Sequence, residues 1–197
     1  MMNFSWQQLE NGHIKITVKT PVVKIGTLHR LTSAIFAMEL DIVSGEVNTV
    51  QDGDEIYSND EFILRPVVSL RNNAEISARL GMLMETMLHE NENPDVVLEA
   101  EEVSPPERLQ FFDAAPELVF ETDEESNSTH FYIEATNRTG LLFHLTRLLS
   151  RLGVNILKAS IYTNDENQIQ DTFFLQYEGK PLTREISNKI SSAITEY

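Results

Sequence analysis

The sequence predicts an α+β protein of two related domains, each an antiparallel sheet with two helices on one face, and three observations carry that reading. The first is an internal repeat. Gly26-Thr27-Leu28-His29-Arg30-Leu31-Thr32 returns 114 residues later as Gly140-Leu141-Leu142-Phe143-His144-Leu145-Thr146, and the register runs on through an apolar helix to Asp41-Ile42 and Asn155-Ile156. It shortens only at the next turn, where Asp60-Glu61-Phe62-Ile63-Leu64 comes to match Asp171-Thr172-Phe173-Phe174-Leu175. A register held through helix and strand and shifted at a loop is how a duplicated domain reads. The second observation is strand-period alternation before each repeated helix, and the third is an extra hairpin strand at the front of each copy.

The elements follow in chain order. In the first copy, Phe4 to Glu10, the turn Asn11-Gly12 and His13 to Thr20 form a hairpin, because Asn-Gly between alternating runs favours a tight turn. After the repeated helix and strands, Leu80, Met82, Leu83, Met84, Met87 and Leu88 recur at helical spacing and read as core. Asp95 to Glu102 is expected as a further short strand or extended tail, and Ser104-Pro105-Pro106 opens the interdomain connection.

In the second copy, Phe131, Ile133 and Ala135 alternate with His130, Tyr132 and Glu134 as a strand over about His130 to Thr136. Leu141, Leu142, Leu145, Leu148, Leu149 and Leu152 then mark a helix that Gly153 closes in a left-handed cap. Val154 to Thr163 and Ile169 to Tyr177 are strands about the turn Asn164 to Asn167, and Thr183 caps a last helix with Ile186, Ile190 and Ile194 inward. A three-stranded sheet would keep a bare edge. Glu117 to Thr122 supplies the missing strand, folded back by Asp123 to Ser128. Both halves therefore read ββαββα, with a first domain over 1–103, a linker over 104–115 and a second domain over 116–197.

Composition limits the function classes. The chain has 197 residues and a formal charge of −16, spread evenly over both halves, so clustered Lys and Arg for phosphates are missing. Nucleic acid and membrane surfaces are therefore not expected partners. The chain has no Cys, which removes disulfides and thiolate chemistry and suits a reducing compartment. With no long apolar run and no signal-like start, the expected location is cytoplasmic.

Catalytic patterns are weak. His89-Glu90 starts a zinc-protease motif, but Asn93 stands where the second His belongs. Asp52-Gly53-Asp54-Glu55 lacks the ligand ladder of a calcium loop and reads as a solvated hairpin turn. Neither a nucleophile elbow nor a phosphate-binding Gly-rich loop occurs, so the chain is expected not to be an enzyme and to carry no cofactor or metal.

The string Asn137-Arg138-Thr139-Gly140-Leu141-Leu142, with Gly153-Val154-Asn155-Ile156 after the helix and Asp171-x-Phe173 in the next strand, resembles the ACT domain, a small-molecule-binding regulatory module of ferredoxin-like fold. The likeness extends to the tandem ACT regulatory tail of the nitrogen-signalling PII uridylyltransferase/uridylyl-removing enzymes, including Pro116 to Thr122. Two departures stand out. The usual Asp-x-Pro-Gly loop is Asn137-Arg138-Thr139-Gly140, and the first copy has the longer run Pro21 to Gly26. The resemblance implies an amino-acid ligand, with glutamine the first to consider. Asn137 and Asn155 would offer side-chain amides, and Arg138, Thr139, Gly140 and Leu141 would lie around the ligand. Independently, a Gly opening a helix lets a carboxylate approach the unpaired first-turn amides, while an acidic chain suits an ammonium group.

Function is thus expected to be non-catalytic regulation through amino-acid sensing in nitrogen metabolism. The alternative is a ligand-free scaffold or dimerisation module acting through a protein partner. Tyr132, Tyr162 and Phe174 should share the sheet face away from the helices, covered by the other copy, by another chain as in a homodimer, or by Leu109 to Phe112.

Overall fold

The computed structural model describes residues 2–21, 23–67, 72–89, 92–105 and 115–195. The first half runs β1 (Asn3–Gln8), β2 (Ile14–Thr20), α1 (Thr27–Ala37), β3 (Leu40–Asp52), β4 (Glu55–Pro66), α2 (Asn73–Leu88) and α3 (Pro94–Ala100). The second runs β5 (Glu117–Asp123), β6 (Ser128–Thr136), α4 (Leu141–Arg151), β7 (Val154–Tyr162), β8 (Gln168–Tyr177) and α5 (Arg184–Thr195). The segment Leu109 to Phe112 and most of the expected linker lie outside the described residues.

Among the described residues eight strands form one antiparallel sheet in the order β1-β2-β4-β3-β7-β8-β6-β5. The halves are therefore joined backbone to backbone, which the reading of two separate sheets did not anticipate. Ser44 to Asn48 of β3 pair with Tyr162 to Lys158 of β7, and the pairing places Glu46 opposite Ser160. Those residues are 114 apart, and Ser160 Oγ donates to Glu46 Oε1 at 2.8 Å. Beneath them the hydroxyls of Thr32 on α1 and Thr146 on α4, also 114 apart, lie 2.8 Å from each other. Where two copies pair antiparallel, a residue that meets its own repeat counterpart lies on a local twofold axis, so both contacts mark that axis. The bulges between Ile42 and Ser44 and between Ile156 and Lys158 obey the same symmetry.

Alternation puts one face of the sheet under the helices. Ile14, Ile16, Val18, Phe62 and Leu64 from the first half, and Phe131, Ile133, Phe173 and Leu175 from the second, are at most 1% exposed. Helix α4 adds Leu141, Leu142, Leu145 and Leu149, and α5 contributes Ile186, Ile190 and Ile194, with the Ile186 amide donating to Thr183 Oγ1 at 3.3 Å. Gly153 takes φ 73° at the end of α4, as a left-handed cap requires.

Two expectations are corrected. The stretch Asp95 to Glu102 is not a strand: α3 begins at Pro94, and Asn93 Oδ1 accepts from the Asp95 amide at 3.1 Å. Asn at the N-cap with Pro at the first helical position is a strong helix start. Asp95 then reaches Arg147 at 2.9 Å and Arg151 at 3.4 Å, tying α3 of the first half to α4 of the second. Met82, grouped with the core by its spacing, is 73% exposed, whereas Met84 and Met87 are buried.

Strand β5 pairs with β6 from Glu117–Glu134 to Asp123–Ser128, and Phe120 stacks on Phe131 with centroids 4.5 Å apart. Removing residues 116–122 bares the β6 edge and should give aggregation or unfolding. Phe120→Ala, which keeps the strand but loses the stack, should lower stability by about 2 kcal/mol in urea denaturation. An unchanged midpoint for both variants would show that β5 is dispensable.

Candidate functional site

Each half turns from its second strand into its first helix through a glycine. Gly26 and Gly140 both have φ 86° and stand at the N-caps of α1 and α4, where none of the described side chains caps the helix. Only glycine holds that conformation cheaply. The first helical bonds accepted by these glycines come from Arg30 N at 3.0 Å and His144 N at 3.1 Å. Leu28 and His29, and likewise Leu142 and Phe143, therefore present first-turn amides that their helix does not use.

The twofold axis places each of these starts against the other half. One cleft is lined by Asn137, Arg138, Gly140, Leu141 and Asp171 from the second half and by Phe36, Asp41 and Ile42 from the first. The other is lined by Lys24, Gly26, Ser58 and Asp60 from the first half and by Ser150, Asn155 and Ile156 from the second. Each encloses about 20 Å³, room for roughly one water. Counted with the solvent at their mouths, the two span about 390 and 420 Å³.

The sequence-derived site residues are thus divided. Asn137, Arg138, Gly140 and Leu141 come together in the first cleft, Thr139 is exposed beside it, and Asn155 faces the Gly26 loop in the second. The residue across from Asn137 is instead Asp41, the repeat counterpart of Asn155. Sequence reasoning passed over Asp41, Phe36, Asp60 and Ser150. The repeat paired Asp41 with Asn155 and Asp60 with Asp171, but side-by-side pairing of the halves was needed to show which loop each residue faces.

The clefts differ chemically. In the first, Asp41 is ion-paired with Arg65, and the Asn137 Nδ2 lies 3.4 and 3.5 Å from its two carboxylate oxygens. Phe36 stacks on Phe143 at 4.5 Å and covers Gly140 so closely that a Cβ there would sit 2.6 Å from its ring. In the second, the counterpart of Phe36 is Ser150, whose Oγ would lie 2.7 Å from a Cβ on Gly26. Asp60 Oδ1 accepts from Ser58 Oγ at 2.6 Å and from the Asn48 amide at 3.2 Å. Its Oδ2 is buried and has no hydrogen-bond partner among the described residues.

Burial dominates the titration of both strand acids. It pushes Asp60 up to about 6 against its hydrogen bonds from Ser58 and Asn48, and Asp171 up to about 7 against its bond from the Tyr162 amide. Burial likewise lowers His29 and His144 to about 4, leaving both imidazoles neutral near pH 7.

Two ββαββα units sharing one sheet, each presenting a glycine-led helix start to its neighbour, define a tandem ferredoxin-like module. Residues 129–178 match the ACT domain family, so the second half carries an ACT domain. The chain is similar to the bifunctional uridylyltransferase/uridylyl-removing enzyme of Nitrosococcus oceani, 25% identical over 167 residues that cover 84% of this chain and 18% of that protein. The enzyme of the same name from Ruegeria pomeroyi is 25% identical over 177 residues, 87% of this chain and 19% of that one. The chain thus spans less than a fifth of the length of these relatives. Among solved structures, aspartate kinase from Synechocystis overlaps 85% of this chain and 24% of its own, at 13% identity and a TM-score of 0.43. Among the described residues no helix is long and apolar enough to cross a membrane.

Asp171 gives a pH test. The folded state keeps its proton to about pH 7, whereas the unfolded chain releases it near 3.8, so the wild-type acid costs stability as pH rises through that window. Asp171→Asn should match wild type near pH 3.5 and exceed it by a few kcal/mol at pH 8 in denaturant titrations. A stability difference independent of pH would mean that burial does not hold this proton.

Proposed function

We propose that the chain is a non-catalytic regulatory module that senses a small amino acid, glutamine first among candidates, at the junction of its two halves. The observation that carries this reading is the pair of junction clefts, each with uncapped helix amides from one half facing a strand start of the other. A zwitterion suits such a place. Its carboxylate lies on first-turn amides, favoured by the helix dipole, and its ammonium turns toward the acids of β4 or β8. A ligand seated there touches both halves, so its binding free energy acts on their relative setting. Because each cleft encloses room for about one water, seating an amino acid requires the junction to widen.

The similarity to uridylyltransferase/uridylyl-removing enzymes supports a role in nitrogen metabolism, with the regulated partner a cytoplasmic protein. A second reading, a scaffold or dimerisation module without ligand, is favoured by Phe36, which fills the space above Gly140. Calorimetry against the twenty amino acids separates the two. The sensing reading expects heat from at least one of them, and silence from all twenty supports the scaffold. The protein alone should neither turn over UTP nor be retained on double-stranded DNA in about 0.15 M salt, given a net charge of −16. Either activity would require a different function.

A further inference from the structure

We infer that the two junction clefts are not equivalent: the amino acid is held in the Gly26–Asn155 cleft, with the Asp60 carboxylate as the partner of its ammonium group. This inference rests on the sensing reading above and assigns it to one place and one anchoring residue.

Three observations point the same way. First, Asp60, 1% exposed as is its counterpart Asp171 in the other cleft, lines this cleft with a buried oxygen that no described residue satisfies. A buried carboxylate oxygen without a donor is costly, and an ammonium group supplies both donor and opposite charge. Second, Asn155 stands across from the Gly26 loop, and its side chain makes no hydrogen bond among the described residues, leaving its amide available to a ligand. Its counterpart Asp41 is already engaged with Arg65 and Asn137, and as an acid it would oppose a ligand carboxylate at the α4 start. Third, the helix start at Gly26 faces the small Ser150, whereas the start at Gly140 lies beneath the stacked ring of Phe36. The Leu28 and His29 amides then receive the ligand carboxylate, with the Lys24 cation on the same rim and the His29 ring neutral.

The test uses the full chain, calorimetry, and the amino acid that wild type binds best, together with its 2-hydroxy analogue, which lacks the ammonium group. Wild type should prefer the amino acid by at least tenfold. Asp60→Asn is close to isosteric and keeps an oxygen for Ser58 and Asn48; in it that preference should collapse, while binding of the hydroxy acid changes less than threefold. A mere packing defect would weaken both ligands alike. Asn155→Ala should lose tenfold or more and Asn137→Ala less than twofold, a comparison that still decides the matter if Asp60→Asn does not fold. Preference retained in Asp60→Asn, or loss with Asn137→Ala and not with Asn155→Ala, overturns the assignment while leaving amino-acid sensing intact. Wild type that binds none of the twenty overturns both.

Discussion

The backbone pairing of β3 with β7 is the constraint on which the rest of the molecule depends. Alone, each half would end in an unpaired central strand whose N–H and C=O groups invite association. Joined, they bury those groups and bring α1 against α4, with Thr32 and Thr146 meeting at the axis. The same union completes the clefts, because part of the wall facing each glycine loop comes from the other half: Phe36 and Asp41 for Gly140, Ser150 and Asn155 for Gly26. Stability and the candidate sites thus share one cause. The Asp95 contacts with Arg147 and Arg151 add a second tie between the halves, although partly exposed ion pairs contribute little beside the sheet.

The buried ionisable groups around the clefts act in opposite directions on stability. Asp60 and Asp171 have folded pKa values above their ordinary range, so they take up protons more readily in the folded state and favour it as pH falls from about 7 toward 4. His29 and His144 have values depressed to about 4, so the unfolded chain takes up their protons first and the folded state loses ground as pH falls below about 6.5. Between about pH 4 and 6.5 the two trends oppose each other. Asp60, Asp171 and His29 line the clefts themselves, so protonation and ligand occupancy there are linked.

Much of this architecture was legible because it rests on periodicity. The alternation of Phe131, Ile133 and Ala135, the leucines of α4 and the Asn11-Gly12 turn are local signals, and the repeat supplied the first half by analogy with the second. Helix α3 was misread although its start signal, Asn93 before Pro94, was present; an acidic run without helical alternation hid it. The union of the sheets left no trace in side-chain pattern, since edge pairing is made by backbone groups that every residue carries. That is also why Asn155 was identified as a site candidate but grouped with the Asn137–Leu141 loop instead of the Gly26 loop that it faces, and why the burial of Asp60 was invisible in a strand that otherwise reads as ordinary.

The covalent joining of the two halves has a consequence for what evolution can do with them. In a symmetric homodimer of a single ββαββα unit, every substitution appears twice, so a bulky ring over one glycine would also cover the other. Here the mapped positions hold Phe36 and Ser150, and likewise Asp41 and Asn155. A fused pair can spend one pocket on cohesion and leave its mirror image open to selection for something else, a division of labour that identical subunits cannot encode.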